Sequence, residues 1–283
     1  MKNIRPVYVV GSARVPFAKS LTSYRDVSRH DLLVAALDGL IKKYGLGGQI
    51  IGDVALGALM NSTADWNLAR EAVLSTKLHP ETPAYNVQRA CGTSLETIWQ
   101  TSLKIAAGQI DTAIAGGVDT NSDLPVEISE KLRQALISSS LGKTLLDKIK
   151  PFAGLLPHDL KPKPSTVSEP RTGLSMGQHC ELMVKEWKIS REAQDQLAYR
   201  SHQSAAAAYE RGFFDDLVVP FHGLKRDGTV RGDTSLEKLK KLKPAFDKEN
   251  GSLTAGNSSP LTDGASSVLL ASDSALAKNG WKP

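Results

Sequence analysis

Short runs of β-branched and small apolar residues alternate with stretches of helical period from Val7 to Val118, and this alternation limits the available folds more than any other feature of the chain. Val7 to Val10 ends in Gly11 and reads as a buried strand. Ser28 and Asp31 stand at capping-box spacing, after which Leu33, Ala36, Leu37, Leu40 and Ile41 fall on one helical face until Gly45 stops the turn. Asp53 to Leu59 reads as a second strand, Ala69 to Lys77 as a helix, and Ala84 to Gln88 as a third strand. From Ser94 the period changes again: Leu95, Ile98, Trp99, Ser102, Leu103 and Ala106 mark one face of a helix, with Gly108 just past its end. Thr112 to Val118 supplies another strand of small residues. Strands alternating with helices predict an α/β fold, a mixed and mostly parallel sheet with helices on both faces.

Beyond Asp119 the character shifts. Ile137 to Thr172 is rich in Lys and Pro, and its five prolines leave no sustained period, so it reads as an inserted loop. Ser190 caps a long helix to about Arg211, with Ala193, Leu197, Ser201, Ala205 and Ala208 on one stripe and Gly212 closing it. Thr254 to Asp263 is a turn region of Gly, Asn and Ser, and Ser267 to Ala271 is a strand able to return to the first sheet. The expected organisation is an α/β core over 1–122, an inserted loop domain over 123–249, a return to the core over 250–276, and the start of a further half at 277–283.

With 283 residues, 41% of them apolar and 23% charged, the chain can bury a sizeable core and is unlike a disordered one. No run approaches the roughly 18 apolar residues of a membrane span, and the N-terminus lacks a secretory pattern. Two cysteines, Cys91 and Cys180, make no disulfide framework, which points to a reducing compartment and a cytoplasmic location. The net charge of +5 is unevenly placed: Lys225 to Lys248 holds eight basic residues against four acidic, and Lys131 to Lys163 seven against two. Such stretches can meet an anionic membrane surface or a phosphorylated small molecule. Nucleic acid is disfavoured, because Phe246 is the sole aromatic in the first of these stretches.

Two nucleophiles compete. In NVQRACGTSL (Asn86 to Leu95) Cys91 stands where a strand runs out and a helix begins, so that the positive end of the helix dipole faces the sulfur. Ala90 and Gly92 are small enough to admit a substrate carbonyl, and nearby N–H groups could serve an oxyanion. Gly173-Leu174-Ser175-Met176-Gly177 is a formal match to the nucleophile elbow of serine hydrolases, but the preceding KPKPSTVSEPRT cannot form the buried strand that the elbow needs. The six histidines show no metal-ligand spacing, so no metal is expected.

Taken together, GSARVPFAK, NVQRACGTSLETI, AGGVDTNSD, SMGQHCELM, ISREAQDQLAYRSHQSAAAA and LKPAFDKENGSLTAGNSSPLTDGASSVLLAS resemble, in order, motifs of the thiolases, and among them the subgroup of the fatty-acid β-oxidation trifunctional complex. The resemblance implies a layered α/β thiolase fold and an acyl thioester carried on Cys91, with 3-ketoacyl-CoA and free CoA converted to acetyl-CoA and a shortened acyl-CoA. Coenzyme A is then a substrate, and no bound cofactor is implied. By the same resemblance Arg231 lies near the adenine end of CoA, Ala255 and Ser259 line its pantetheine arm, and Met176 walls the pocket. A homodimer is implied, as is contact of 137–172 with a hydratase-dehydrogenase subunit or a membrane surface. The family's second half adds a water-positioning asparagine, a Gly-His-Pro histidine and a Cys-x-Gly cysteine, none of which is in this sequence. Residues 1–283 therefore read as the N-terminal half, able to present Cys91 but inactive alone. The alternatives are a non-catalytic acyl-CoA-binding or partner-binding scaffold on a thiolase half-fold and, more remotely, a serine hydrolase using Ser175.

Overall fold

The computed structural model describes residues 4–163 and 168–283. In chain order its elements are β1 (Tyr8–Arg14), β2 (Ala18–Lys19), α1 (Arg29–Tyr44), β3 (Asp53–Gly57), α2 (Leu68–Leu74), β4 (Ala84–Val87), α3 (Thr93–Ala106) and β5 (Thr112–Asp119). They continue with α4 (Glu130–Leu141), α5 (Leu145–Ile149), α6 (Met176–Glu186), α7 (Arg191–Glu210), α8 (Leu236–Lys240), β6 (Thr262–Ala271) and α9 (Asp273–Asn279). The chain divides into two compact units, one made of Met1–Asp123 with Gly177–Pro283, the other of Leu124–Met176. Residues 177–249 therefore group with the sheet and not with the insertion.

In the first unit the sheet order is β1-β6-β5-β3-β4, with β2 also pairing β6. β3 runs parallel to β4 and β5, whereas β6 is antiparallel to both β1 and β5, so β1, β3, β4 and β5 share one direction and β6 opposes them. Ser28 caps α1 by accepting from the Asp31 N–H, and Gly45 ends it in the left-handed region at φ 63°. Buried Leu32, Leu33, Leu37 and Leu40 of α1 pack with Val54, Leu56, Ile114 and Leu269 of the sheet. Each of these leucines contributes roughly 1.5–3 kcal/mol by leaving water. The intervening strand residues Ala113, Ala115 and Leu270 point to the opposite face, where they meet Ile105 of α3. This is the period-2 alternation of a sheet covered on both sides.

Two helical faces differ from expectation. On α3 the buried residues are Thr93, Thr97, Thr101 and Ile105, while Leu95, Trp99 and Leu103 are 73%, 62% and 52% exposed. The reason lies beneath the helix. Gly57, Gly116 and Gly117 leave little side-chain volume on that part of the sheet, and short β-branched threonines fit close to its backbone. Thr97 Oγ1 accepts from Gly116 N at 3.1 Å, and the Thr97 and Thr101 hydroxyls donate to the carbonyls of Ser94 and Thr97 at 2.8 and 2.7 Å. On α7 most of the expected stripe is not packed either: Ala193, Leu197 and Ser201 are exposed and of that stripe Ala208 is buried, while Asp195 and Tyr209 are buried off it.

β6 begins at Thr262, five residues ahead of the expected Ser267. The added strand residues include Asp263, fully buried, whose carboxylate accepts from the Thr120 and Ser122 hydroxyls and from the Asn121 and Ser122 amides.

The second unit is more ordered than its prolines suggested. Ser129 caps α4, and Thr144 with Asp147 forms a capping box on α5, so both helices precede the first proline of the run, Pro151. Asp159 is buried and accepts from the Leu156 N–H at 2.9 Å, and that bond holds its carboxyl below the usual range.

Candidate functional site

β4 ends at Val87 and α3 starts at Thr93, and five residues make the connection. Ala90 sits in the left-handed region at φ 45°, a conformation that costs an L-residue roughly 1–2 kcal/mol, and it turns the chain sharply there. Thr93 fastens the turn: its Oγ1 accepts from Arg89 N at 2.8 Å and donates to the Ala90 carbonyl at 2.7 Å. Cys91 follows, exposed and in no disulfide, one residue before the helix cap Gly92. Gly92 supplies no side-chain cap, so nothing of its own shields the helix start. Two amides that follow the sulfur are engaged within the turn, Gly92 N donating to Arg89 O at 3.0 Å and Thr93 N to Ala90 O at 3.2 Å.

One turn on, Ser94 lines a cleft of about 200 Å³ together with Phe17, Gly117, Asp119, Thr262 and Ser266. Loss of surrounding water pushes the Asp119 carboxyl above the usual range, against the opposing pull of the Leu59 and Met60 amides. Phe17 covers Gly264 closely: a Cβ there would lie 2.2 Å from its ring.

Arg231 and the Ala255–Ser259 turn are held by one helix, α7. Arg231 N donates to His202 Nδ1 at 3.2 Å, and Gln203 Nε2 donates to the Gly232 carbonyl at 3.0 Å. Toward the start of α7, Asp195 Oδ1 accepts from Asn257 Nδ2 at 2.9 Å while Asn257 Oδ1 accepts from Thr254 N. Arg191 secures Asp195 at 2.8 Å. Glu181 of α6, also buried, accepts from Ser252 N and Leu253 N, completing the support of this turn. Ala255 and Ser259 themselves are exposed at its surface. The sequence singles out none of Gln203, Asp195, Asn257 or Glu181, and it assigns His202 no role. The available signal was the run of polar residues at positions 191, 194, 195 and 202 of a helix read as apolar-striped.

Met176 is exposed at the first position of α6, and Ser175 precedes it with no strand leading into the Gly-x-Ser-x-Gly turn among the described residues. The hydrolase elbow thus lacks its framework. Cys180 is half-buried in the same helix.

The thiolase N-terminal domain family model matches residues 7–274. The chain belongs to the thiolase family. The 3-ketoacyl-CoA thiolase of Serratia proteamaculans (strain 568) is 41% identical over 283 positions, covering 98% of this chain and 65% of that protein. The 3-ketoacyl-CoA thiolase of Yersinia pestis (strain Pestoides F) is 40% identical with the same coverage. The chain thus spans 65% of the length of these curated relatives. Among solved structures, human mitochondrial 3-ketoacyl-CoA thiolase in complex with CoA superposes with a TM-score of 0.83 at 28% identity, over 99% of this chain and 68% of that one. The Bacillus anthracis acetyl-CoA acetyltransferase does so with a TM-score of 0.83 at 28% identity, over 100% and 69%.

Proposed function

We propose that this thiolase chain supplies the nucleophile and much of the CoA-binding surface of a 3-ketoacyl-CoA thiolase. Cys91 Sγ attacks the 3-keto carbon and forms a thioester. The C2–C3 bond breaks with its electron pair on C2, which takes a proton as acetyl-CoA leaves. The thiol of a second CoA then attacks the thioester, forms the shortened acyl-CoA and returns Cys91 as a thiol. The groups that move protons in this scheme belong to the Gly-His-Pro and Cys-x-Gly motifs, which these 283 residues do not carry.

Arg231 meets the adenine-nucleotide end of CoA, Ala255 and Ser259 the pantetheine arm, and Met176 the wall of the acyl pocket. The observation that carries the reading is the exposed thiol on a fastened strand-to-helix turn, ahead of a helix with no side-chain cap. The CoA named with the human relative supports the choice of ligand. The open edge of the sheet at β4 suits pairing with a second copy of the chain. In the second unit, exposed Leu141, Leu145 and Leu146 beside Lys143 and Lys148 suit an anionic membrane surface or a partner subunit. A cytoplasmic location fits the free cysteines.

Limited iodoacetamide treatment followed by peptide mapping tests the nucleophile. Cys91 is expected to be alkylated well before half-buried Cys180. Equal labelling, or labelling of Cys180 first in folded protein, overturns the assignment.

A further inference from the structure

The loop that carries Arg231 is held on every side except that of its own side chain. Arg231 N–H donates to His202 Nδ1, and the Arg231 carbonyl accepts from Thr234 N at 3.2 Å. Gln203 Nε2 bridges the Gly232 and Thr234 carbonyls at 3.0 and 3.4 Å, while Lys238 Nζ donates to the Asp233 carbonyl at 2.6 Å. Gly232 lies so close to α7 that a Cβ on it would meet Ala206 Cβ at 3.0 Å. The Arg231 guanidinium, in contrast, is exposed and forms no ion pair among the described residues. A backbone clamped by helix positions 202, 203 and 206 under an unpaired guanidinium is an arm set in advance for an anion or a flat ring.

We infer that His202 is a positioning residue, which by accepting the Arg231 amide aims that guanidinium at the adenine-nucleotide end of CoA. The inference rests on the reading of Arg231 as a CoA contact. Nδ1 accepts only while it is unprotonated, so the ring proton resides on Nε2. Loss of one such hydrogen bond frees the loop to sample other directions and affects only that part of the ligand which Arg231 reaches.

The test titrates CoA and pantetheine, which lacks the nucleotide, against residues 1–283 and the variants His202→Ala, His202→Asn and Arg231→Ala. Amide hydrogen exchange at residue 231 is followed in parallel. His202→Ala is expected to weaken CoA about 5–10-fold, the magnitude of one net hydrogen bond, and to leave pantetheine unchanged. His202→Asn, whose Oδ1 can replace Nδ1, restores CoA affinity to within about twofold of the parent on the same reasoning. His202→Ala combined with Arg231→Ala binds no more weakly than Arg231→Ala alone. If Arg231→Ala leaves CoA affinity intact, the reading of Arg231 falls and this inference with it. If Arg231→Ala weakens CoA but His202→Ala does not, only the positioning role is lost. Unchanged exchange of the residue 231 amide in His202→Ala overturns the clamp whatever the ligand does.

Discussion

Single atoms decide how closely α3 and the strands approach one another. A Cβ on Gly116 would lie 2.2 Å from the Ser266 carbonyl oxygen, and one on Gly57 would lie 2.0 Å from that of Val87. Both obstacles are backbone atoms of paired strands, which cannot swing aside as a side chain can. Gly116→Ala should therefore destabilise the chain by about 1–3 kcal/mol, the usual cost of forcing volume into a packed site. Gly47→Ala is the control, since its nearest neighbour is Lys77 Cβ at 3.9 Å and its backbone is not left-handed. That change should be neutral or stabilise by up to about 1 kcal/mol through the unfolded chain. Urea unfolding of both variants separates the effects, and equal midpoints would refute the steric account.

At the scale of the element, α3 binds the sheet by hydroxyls rather than by its leucines. Gly116 pairs with Ser267 on one side, and on the other its N–H finds Thr97 Oγ1 inside the protein. Thr97→Val keeps the shape but strands that buried donor, and a cost of about 1–3 kcal/mol is expected. Thr97→Ser, which keeps the oxygen, should recover most of it. Leu95→Ala, on the exposed stripe of the same helix, should change stability by less than about 0.5 kcal/mol. Thermal unfolding of the three variants in the order Val, Ser, Ala supplies the comparison. A larger loss for Leu95→Ala than for Thr97→Val would mean that the helix is packed the other way round.

For the molecule as a whole, a nearly buried ion pair ties the end of β1 to the loop that leads to Arg231. Arg14 Nη1 and Nη2 donate to Asp227 Oδ1 and Oδ2 at 2.7 and 2.8 Å, Phe17 N donates to Asp227 Oδ1 at 2.7 Å, and Asp227 N donates to the Tyr209 hydroxyl. Burial pushes the Asp227 carboxyl up, but the Arg14 fork and the Phe17 amide outweigh it and hold the group below the usual range. A carboxyl lowered on folding stabilises above its unfolded pKa of about 3.9, and that contribution is lost as the pH falls through the lower folded value. Asp227→Asn should thus cost about 3 kcal/mol at pH 7 by leaving Arg14 unpaired. The gap between parent and variant should narrow below about pH 4, where the parent loses the same interaction. Urea melts at pH 7 and pH 3 measure it, and a gap independent of pH would exclude the ion pair as its source.

The succession β1, α1, β3, α2, β4, α3 and β5, the Ser28 cap and Gly45 stop of α1, the place of Cys91 between β4 and α3, and the thiolase family itself were all legible in the sequence. Each depends on neighbours along the chain: a capping hydroxyl three residues from the amide it meets, a left-handed glycine after the last turn, a motif read in order. The buried faces of α3 and α7 were not legible, nor was the clamp on Arg231, because each depends on what lies across from the helix. Periodicity locates Leu95, Trp99 and Leu103 on one stripe, but the glycines of β3 and β5 make the threonine stripe the one that fits. Likewise His202 and Arg231 are 29 residues apart, and only the packing of the 231–234 loop against α7 turns a half-buried histidine into the acceptor for that amide.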